Sequence, residues 1–328
     1  MNEVDKEIAE KYNLEIKSIV PLKDVFIIST SKGKMILKKT ILSPERIQFI
    51  HAVKEHLSEN NFTRLDRFLC STEGIPYLIS GGDSYTLTNM IEGNECNFDN
   101  RTEIIKSARL LAEMHKASKG FRPPENCIPR DELGKLPLYF NKRLEEIKKL
   151  KKTALKEKNR FDYMFLQHYD YFHNLGENAI GLITNSIYDR LVKTAKEEGV
   201  LCHHDFTHNN IISNGSELYI INFDYCCFEL KVYDIANFLR RKMRKCNWDI
   251  NEAKVIIDEY RTIEDISEDE FFVMKLILQF PQKFWRVINK YYNSKRGWSE
   301  KSFIVKLQEV IDEIEYHKKF LEKFDTLK

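Results

Sequence analysis

The stretch His203-His204-Asp205-Phe206-Thr207-His208-Asn209-Asn210 decides the predicted fold of this chain. His203, Asp205 and Asn210 match the pattern HxD-x4-N, and the strand-like segment LYIINFD (218–224) follows. Loops of this form present a base to an acceptor hydroxyl and a ligand to the metal that bridges nucleotide phosphates. The stretch therefore predicts a phosphoryl-transfer site, with Asp205 and His203 in the catalytic positions and Asn210 beside the metal.

The strand that follows departs from this pattern at one position. The residue expected to be the main metal-binding aspartate is Asn222, which offers one carbonyl oxygen and no charge, whereas a hard cation prefers carboxylate. Side chains at i and i+2 of a strand lie on the same face, so Asp224 could reach the same metal. The predicted metal ligands are Asn210, Asn222 and Asp224. Compensation by Asp224 and an impaired site both stay open.

A lysine on an upstream strand is expected to orient the phosphates. MILK (35–38) matches the V-A-I-K pattern of kinases, which makes Lys38 the first candidate and Lys39 the second. Strand alternation turns the two lysines to opposite faces, and a solvent-exposed strand lysine is the alternative interpretation. Residues 21–25 contain no glycine, so no glycine-rich loop precedes the lysine. The helix residue that would pair with this lysine is left open, because Glu45 lies very early in the next helix and Glu55 lies late in it.

The chain changes character near residue 92. Before it, residues 15–41 alternate like strands, Ser43 opens a helix to about Ser58, and two more strands are predicted near 66–71 and 75–91. We therefore expect an N-terminal lobe at 1–92 and a C-terminal lobe at 93–328. The last strand would enter the hinge between the lobes, where the backbone of Asn89, Met90 and Ile91 could meet the edge of an adenine.

The C-terminal lobe is predicted to be mainly helical, with a short strand near 199–203 paired with 218–224. Residues 138–160 have helical periodicity and carry nine lysine or arginine residues against three glutamates. That excess is compatible with a site for an anionic partner, but a solvated helix face is the favoured interpretation.

Composition and charge indicate an ordinary globular protein. The 52 Lys and Arg residues nearly balance the 50 Asp and Glu residues, so charge gives no argument for nucleic acid or membrane as a partner. The N-terminal residues lack a signal-peptide pattern and no run of about 18 apolar residues exists, so we expect the protein to be made and kept in a cytosol. The seven cysteines are odd in number and include no CxxC pair, which favours reduced thiols over a redox or metal role.

Several segments together resemble a known family. They are HHDFTHNNII, INFDYCCFELKVYDIANFL, KGKMILKK, YTLTNMIEGNECNFDN, LLAEMHKASKGF, NRFDYMFL and FPQKFWRVINKYYN. The chain is similar to the CotS family of spore-coat proteins, within the aminoglycoside phosphotransferase and choline kinase group. The resemblance implies an α+β, bilobal, protein-kinase-like fold with a small antiparallel-sheet N-terminal lobe and a helical C-terminal lobe. It also implies ATP and Mg²⁺ as ligands, and synthesis in the mother cell followed by deposition on the spore coat.

By motif position the resemblance makes Asp205 the catalytic base and Asn210 a metal ligand, and it places the metal-binding aspartate at Asn222, with Asp224 as the second acidic position. Two functions follow from these residues. One is an ATP-dependent kinase of a small hydroxyl compound, such as a sugar or an amino alcohol. The other is a catalytically impaired scaffold among spore-coat proteins. Nucleic-acid binding through the basic helix is disfavoured, because no aromatic residues are interleaved with its lysines.

Overall fold

The structure is a computed structural model that describes residues 3–157, 159–184, 186–293 and 299–328. It divides into two compact units. The first contains residues 1–131 and 198–228, and the second contains residues 132–197 and 229–328. The boundary between lobes at residue 92 stays a prediction.

An antiparallel sheet forms the first part of the first unit. A short helix precedes it, and its strands run in the order β1-β2-β3-β5-β4. The elements are α1 (Glu3–Lys11), β1 (Ile16–Leu22), β2 (Val25–Thr30), β3 (Gly33–Thr40), β4 (Leu78–Ser80) and β5 (Asp83–Asn89). Gly81 and Gly82 both have positive φ, which suits the tight turn between β4 and β5. The alternating pattern at 15–41 is thereby confirmed as three strands.

One face of this sheet packs under α1. Inward-facing side chains of β2, β3 and β5 join the apolar face of the helix in one buried cluster, which contains Ile8, Tyr12, Leu14, Ile28, Met35, Leu37, Leu78, Tyr85 and Leu87. Burial of these side chains on one face is the expected consequence of the period-2 pattern. The opposite pleat positions, including Lys38, are left on the other face of the sheet.

Helix α2 (Pro44–Glu59) follows β3 and begins as predicted. Ser43 is its N-cap, and the Ser43 hydroxyl accepts a hydrogen bond from the Arg46 backbone N–H at 3.3 Å. The buried face carries Ile47, Ile50 and Leu57 at helical spacing, together with Lys54, whose side chain is 1% exposed. A lysine in that apolar stripe requires a buried partner.

Short strands complete the first unit around the predicted catalytic stretch. They are β6 (Asn94–Glu95), β7 (Leu201–Cys202), β8 (Ile211–Ser213), β9 (Leu218–Ile220) and β10 (Cys227–Phe228). Helix α3 (Arg101–Ser118) lies between β6 and β7 in the chain. β8 pairs with both β6 and β9, and β7 pairs with β10. The predicted pairing of 199–203 with 218–224 is therefore wrong. The strand predicted to reach residue 224 ends at Ile220, and Phe223–Tyr225 forms a 3-10 turn.

The strand predicted near 66–71 is also not formed. The segment makes single bridges only, Leu65 to Ile220 and Phe68 to Thr88. Its backbone hydrogen bonds are divided between two sheets, because the Asp66 N–H donates to the Ile220 carbonyl and the Leu69 N–H donates to the Leu87 carbonyl. A segment that passes from one sheet to another cannot build a continuous ladder with either.

The second unit is helical. Its helices are α4 (Leu136–Glu157), α5 (Arg160–Ile183), α6 (Ser186–Glu198, whose last residue falls in the first unit), α7 (Val232–Met243), α8 (Ile250–Arg261), α9 (Glu268–Gln279), α10 (Gln282–Asn293), α11 (Glu300–Asp312) and α12 (Ile314–Lys323). Apolar faces of α4, α5, α10 and α11 share one buried cluster. The helical prediction for this part of the chain is confirmed.

The NRFD segment has a clear structural role in this unit. Asn159 and Asp162 form a capping box at the start of α5, each side chain accepting a hydrogen bond from the other residue's backbone N–H. The Asn159 amide also donates to the Tyr291 hydroxyl at 2.9 Å, and the Tyr292 hydroxyl donates to the Asp162 carboxylate. Two segments far apart in sequence are thus joined through one helix start.

All seven cysteines lie in the described ranges, and none of them forms a disulfide. Along those ranges, the helices are too short or too polar to cross a membrane.

Candidate active site

The catalytic stretch is a short loop held by its own side chains. It turns through a 3-10 segment at His208–Asn210 and leads directly into β8. The Asn210 amide nitrogen donates to the Asp205 carboxylate at 2.8 Å and to the Asp205 carbonyl at 2.9 Å. These two bonds fix the Asp205 carboxylate beside the Asn210 amide, and their roles at the acceptor and at the metal stay predictions.

His203 is buried beneath this loop. Its Nε2 bonds to the Ile221 carbonyl at 3.1 Å, and its Nδ1 accepts the Asp205 backbone N–H at 3.3 Å, which assigns the Nε2–H tautomer. Its ring packs edge-on against Phe223, with centroids 4.8 Å apart. The imidazole therefore connects the loop to the segment that carries Asn222.

Asn222 has a left-handed backbone, with φ 65° and ψ 64°. Asparagine and aspartate adopt this conformation more readily than other non-glycine residues. The Asn222 backbone N–H donates to the Asp66 carboxylate at 3.1 Å, and the Asn222 side-chain amide donates to the side-chain oxygen of Asn210 at 3.2 Å. The predicted strand geometry, in which residues 222 and 224 share a face, is wrong, yet the fold brings both side chains to one point.

That point is the ammonium group of Lys38. It donates to the Asn222 amide oxygen at 2.8 Å and to the Asp224 carboxylate at 2.5 Å. Lys39 lies on the other face of β3 and pairs with Asp83 at an exposed position. Of the two candidates for the phosphate-orienting lysine, Lys38 is the one whose ammonium lies beside Asn222 and Asp224.

Among the described residues, helix α2 supplies no hydrogen-bond partner for Lys38. Glu55 of α2 pairs with Arg67, and the hydrogen bonds that Lys38 makes within the described residues go to Asn222 and Asp224. Helix α2 instead contributes Arg46, which donates to the carbonyls of Asp224 and Cys226 at 2.9 and 2.6 Å. The helix thereby holds the backbone of the 223–226 turn.

Lys54 and Asp66 are residues that sequence reasoning missed. The Lys54 ammonium lies 2.9 Å from one Asp66 carboxylate oxygen and donates to the Asp66 carbonyl at 2.6 Å. It also lies 3.9 Å from the Phe68 ring centroid. The other Asp66 oxygen receives the Asn222 N–H, so the buried pair supports the left-handed turn. A lysine in an apolar helical stripe was the signal that could have revealed it.

The candidate site residues carry more negative than positive charge. Lys38 contributes one positive charge and Asp205 and Asp224 contribute one negative charge each, while Asn210 and Asn222 are neutral. Burial raises the pKa of the neighbouring Cys226 thiol to about 11, so that thiol adds no charge near neutral pH. The oxygens of Asn210, Asn222 and Asp224 are of the kind that Mg²⁺ binds, but one carboxylate gives a weaker site than two would.

The predicted hinge residues follow the end of β5. Asn89 pairs with Met35 of β3, and the Met90 N–H donates to the Lys34 carbonyl at 3.0 Å. The Ile91 N–H has no hydrogen-bond partner in the part of the chain that the structure describes, and Ile91 is half-buried. The Ile91 N–H is therefore a hinge donor open to a ligand.

Comparison with known proteins places this geometry in a family. The family model described as "Spore coat putative kinase YutH" matches residues 5–324. The chain belongs to this family. It is 25% identical to spore coat protein S of Bacillus subtilis (strain 168), over 96% of this chain and 90% of that protein. The resemblance inferred from the sequence motifs is confirmed.

Solved structures confirm the fold class. An aminoglycoside phosphotransferase from Alicyclobacillus acidocaldarius subsp. acidocaldarius DSM 446 matches with a TM-score of 0.86 at 21% identity, over 98% of this chain and 95% of that one. Amicoumacin kinase hAmiN, solved with AMP-PNP, Ca²⁺ and Ami, matches with a TM-score of 0.64 at 14% identity, over 100% and 98%. This member of the spore coat family therefore has the α+β kinase-like fold.

Proposed function

We propose that this protein is a spore-coat-associated kinase that transfers the γ-phosphoryl group of ATP to a hydroxyl of a small molecule, such as a sugar or an amino alcohol. The observation that carries the proposal is the convergence of Lys38, Asn222 and Asp224 beside the pair formed by Asp205 and Asn210. Family membership and the nucleotide analogue in amicoumacin kinase support it.

Each residue has a role in this proposal. Asp205 accepts the proton of the acceptor hydroxyl as that oxygen forms a bond to the γ-phosphorus, the bond from phosphorus to the β,γ-bridging oxygen breaks, and ADP leaves. Lys38 orients the phosphates, and the backbone of Asn89, Met90 and Ile91 receives the adenine. His203 is buried, so it acts as a positioning residue for Asp205.

Asn210 and Asp224, with Asn222 as a neutral third ligand, would hold Mg²⁺. When bound, the cation neutralises charge on the phosphates. In the structure, the Lys38 ammonium donates to the Asn222 side-chain oxygen and to one Asp224 carboxylate oxygen, so it lies on two of the oxygens that would hold the cation. We also propose synthesis in the mother cell, deposition on the spore coat and contact with other coat proteins there.

The test is phosphate transfer by purified protein with Mg-ATP and a panel of sugars and amino alcohols. Wild-type protein should show slow ATP hydrolysis or transfer, and Asp205→Ala should abolish it. Asp170→Ala is the matched control, because Asp170 lies on an exposed face of α5 in the second unit. Equal background in wild type and Asp205→Ala would refute the kinase function.

A second candidate function is a kinase-shaped scaffold of the coat. The observation that favours it is Asn222, which removes one carboxylate and lets its amide bind Lys38 and Asn210 directly. Thermal unfolding with ATP, with and without Mg²⁺, separates the two functions. A strong Mg²⁺-dependent stabilisation counts against the scaffold, and no stabilisation by ATP in either condition counts against the kinase.

A further inference from the structure

A cavity in the second unit is lined by three arginines, one each from α4, α7 and α10. They are Arg143, Arg240 and Arg286, and Tyr233, Asn237 and Gln282 complete its polar wall. The space between these walls, including the part that is open to solvent, is about 330 Å³. Each of these six side chains can donate hydrogen bonds, and the arginine side chains carry no hydrogen-bond acceptor. The cavity therefore presents donors and positive charge.

The arginines lack carboxylate partners. Among the described residues, no aspartate or glutamate oxygen lies within 4.0 Å of the guanidinium nitrogens of Arg143, Arg240 or Arg286. Glu146 is the carboxylate whose charge acts on Arg143, but its oxygen accepts the Trp285 indole N–H at 2.6 Å. Three positive charges thus share one space without a paired carboxylate from the residues that the structure describes.

Burial, together with repulsion between neighbouring positive charges, lowers the pKa values of Arg143 and Arg240. Burial, with the positive charges of Arg286 and Arg143, lowers the pKa of Arg240 to about 10. Burial and the charge of Arg286 also lower the pKa of Arg143. Both groups stay protonated near neutral pH, because guanidinium pKa values begin far above it. An anion in the cavity would relieve this repulsion.

Two of the guanidinium groups are already fixed in place. Arg240 donates to the Asn237 side-chain oxygen at 2.8 Å and to the Ile277 carbonyl. Arg143 donates to the Gln282 side-chain oxygen at 2.7 Å and lies 4.9 Å from the Trp285 ring centroid. Preorganised donors bind an anion at a lower entropic cost than mobile surface lysines do.

The third arginine differs from the other two. Arg286 is exposed and has no hydrogen-bond or ion-pair partner within the described ranges. Its donors are available at the mouth of the cavity, where they could close over a bound ion. The other walls include the buried rings of Phe140 and Phe280, stacked with centroids 3.9 Å apart. Apolar surface next to the donors suits an anionic group carried on a small molecule.

We infer that this arginine cavity binds a phosphate group, either as the free ion or as a phosphate monoester. Paired guanidinium forks match tetrahedral oxyanions, and three positive charges are more than enough to neutralise a dianion. The inference does not depend on the proposed phosphoryl transfer, because it concerns the second unit alone.

The test is calorimetric titration of the full-length protein with inorganic phosphate and, separately, with glycerol 3-phosphate, at constant ionic strength set by sodium chloride. We expect saturable binding of at least one of them, weakened about tenfold or more by Arg286→Gln. Tighter binding of the monoester identifies a carried phosphate, and equal binding identifies the free ion. The control is Arg261→Gln, an exposed arginine on α8.

Thermal unfolding gives a second measurement that separates binding from folding. Without phosphate, Arg286→Gln should unfold at the same temperature as wild type or higher, because it removes a repelling charge. Phosphate should stabilise wild type and not this variant. The inference is overturned if neither probe binds saturably, or if Arg286→Gln responds like wild type. It is also overturned if Lys38→Met, and not Arg286→Gln, abolishes phosphate binding, since the ion would then occupy the nucleotide site.

Discussion

The Lys38 ammonium lies 2.5 Å from the Asp224 carboxylate, although the two residues are 186 positions apart in the chain. The same ammonium also donates to the side-chain oxygen of Asn222, at the position where a metal-binding aspartate is expected. The Lys38 ammonium therefore lies on two of the oxygens that the proposed metal would need. Any nucleotide and metal that bind must compete with these contacts, and the first two predictions measure that competition.

Restoring the carboxylate at position 222 should strengthen metal binding. Asn222→Asp adds a negative charge and removes the amide that bonds to Asn210, while aspartate tolerates the left-handed backbone. We expect the Mg²⁺-dependent affinity for ATP to rise roughly tenfold or more, with a parallel rise in any transfer activity. Calorimetric titration of ATP at fixed Mg²⁺ measures it.

The matched control is Asn61→Asp, because Asn61 also has a left-handed backbone, with φ 67°, and is exposed. It should change neither quantity. If Asn222→Asp behaves like Asn61→Asp, Asp224 already supplies the ligand that the site needs.

Lys38 and Lys39 offer a neighbouring pair of variants on opposite faces of β3. Lys38→Met should weaken ATP binding by roughly tenfold or more, because it removes the cation that orients the phosphates. Lys39→Met should leave ATP binding unchanged, since Lys39 pairs with Asp83 at the surface. Neither variant should cost more than about 1 kcal/mol of unfolding free energy, because both ion pairs contact solvent. Equal losses of ATP affinity would contradict the assignment of Lys38.

The buried pair of Lys54 and Asp66 should be important for stability. Lys54→Met leaves the Asp66 carboxylate without its cation, and we expect the free energy of unfolding to fall by about 3 kcal/mol. Chemical denaturation measures the loss. Lys254→Met, which removes an exposed ion pair on α8, should change it by less than about 0.5 kcal/mol.

The double variant Lys54→Met/Asp66→Asn isolates the interaction between the two side chains. It should be more stable than the sum of the single effects predicts, because Asp66→Asn removes the uncompensated charge. Strict additivity would show that the pair makes no specific contribution.

His317 should make stability depend on pH. Burial lowers its pKa to about 4, and its Nε2 bonds to the Leu278 carbonyl at 3.1 Å. Between pH 6.5 and 4 the unfolded chain binds a proton that the folded protein does not, so the free energy of unfolding falls as the pH falls through this window. The loss from this residue is up to about 3 kcal/mol.

Chemical denaturation at several pH values, in wild type and in His317→Gln, measures this dependence. The difference in stability between the two proteins should shift in favour of the variant below pH 6.5. A constant difference from pH 7.5 to 4.5 would contradict the pKa and its cause.

Local patterns were enough to predict several parts of the molecule. The strand pattern at 15–41, the Ser43 cap of α2 and the spacing of His203, Asp205 and Asn210 depend on residues close in sequence, so they were readable without a structure. The helical character of the second unit was readable for the same reason. Failures came where one segment serves two sheets, as at 66–71, or where a strand gives way to a left-handed turn, as at Asn222.

The sequence by itself determined which candidate groups the site contains: a lysine, two aspartates, the asparagine of the HxD-x4-N motif, and a further asparagine where the main metal-binding aspartate was expected. Only the tertiary structure decided that Lys38 rather than Lys39 meets Asp224, that Arg46 and Lys54 of α2 hold the 222–226 turn, and that Arg143, Arg240 and Arg286 share a cavity. The reason is physical. Charge and hydrogen-bonding capacity belong to each residue, whereas the partner that satisfies them is set by packing between segments far apart in the chain.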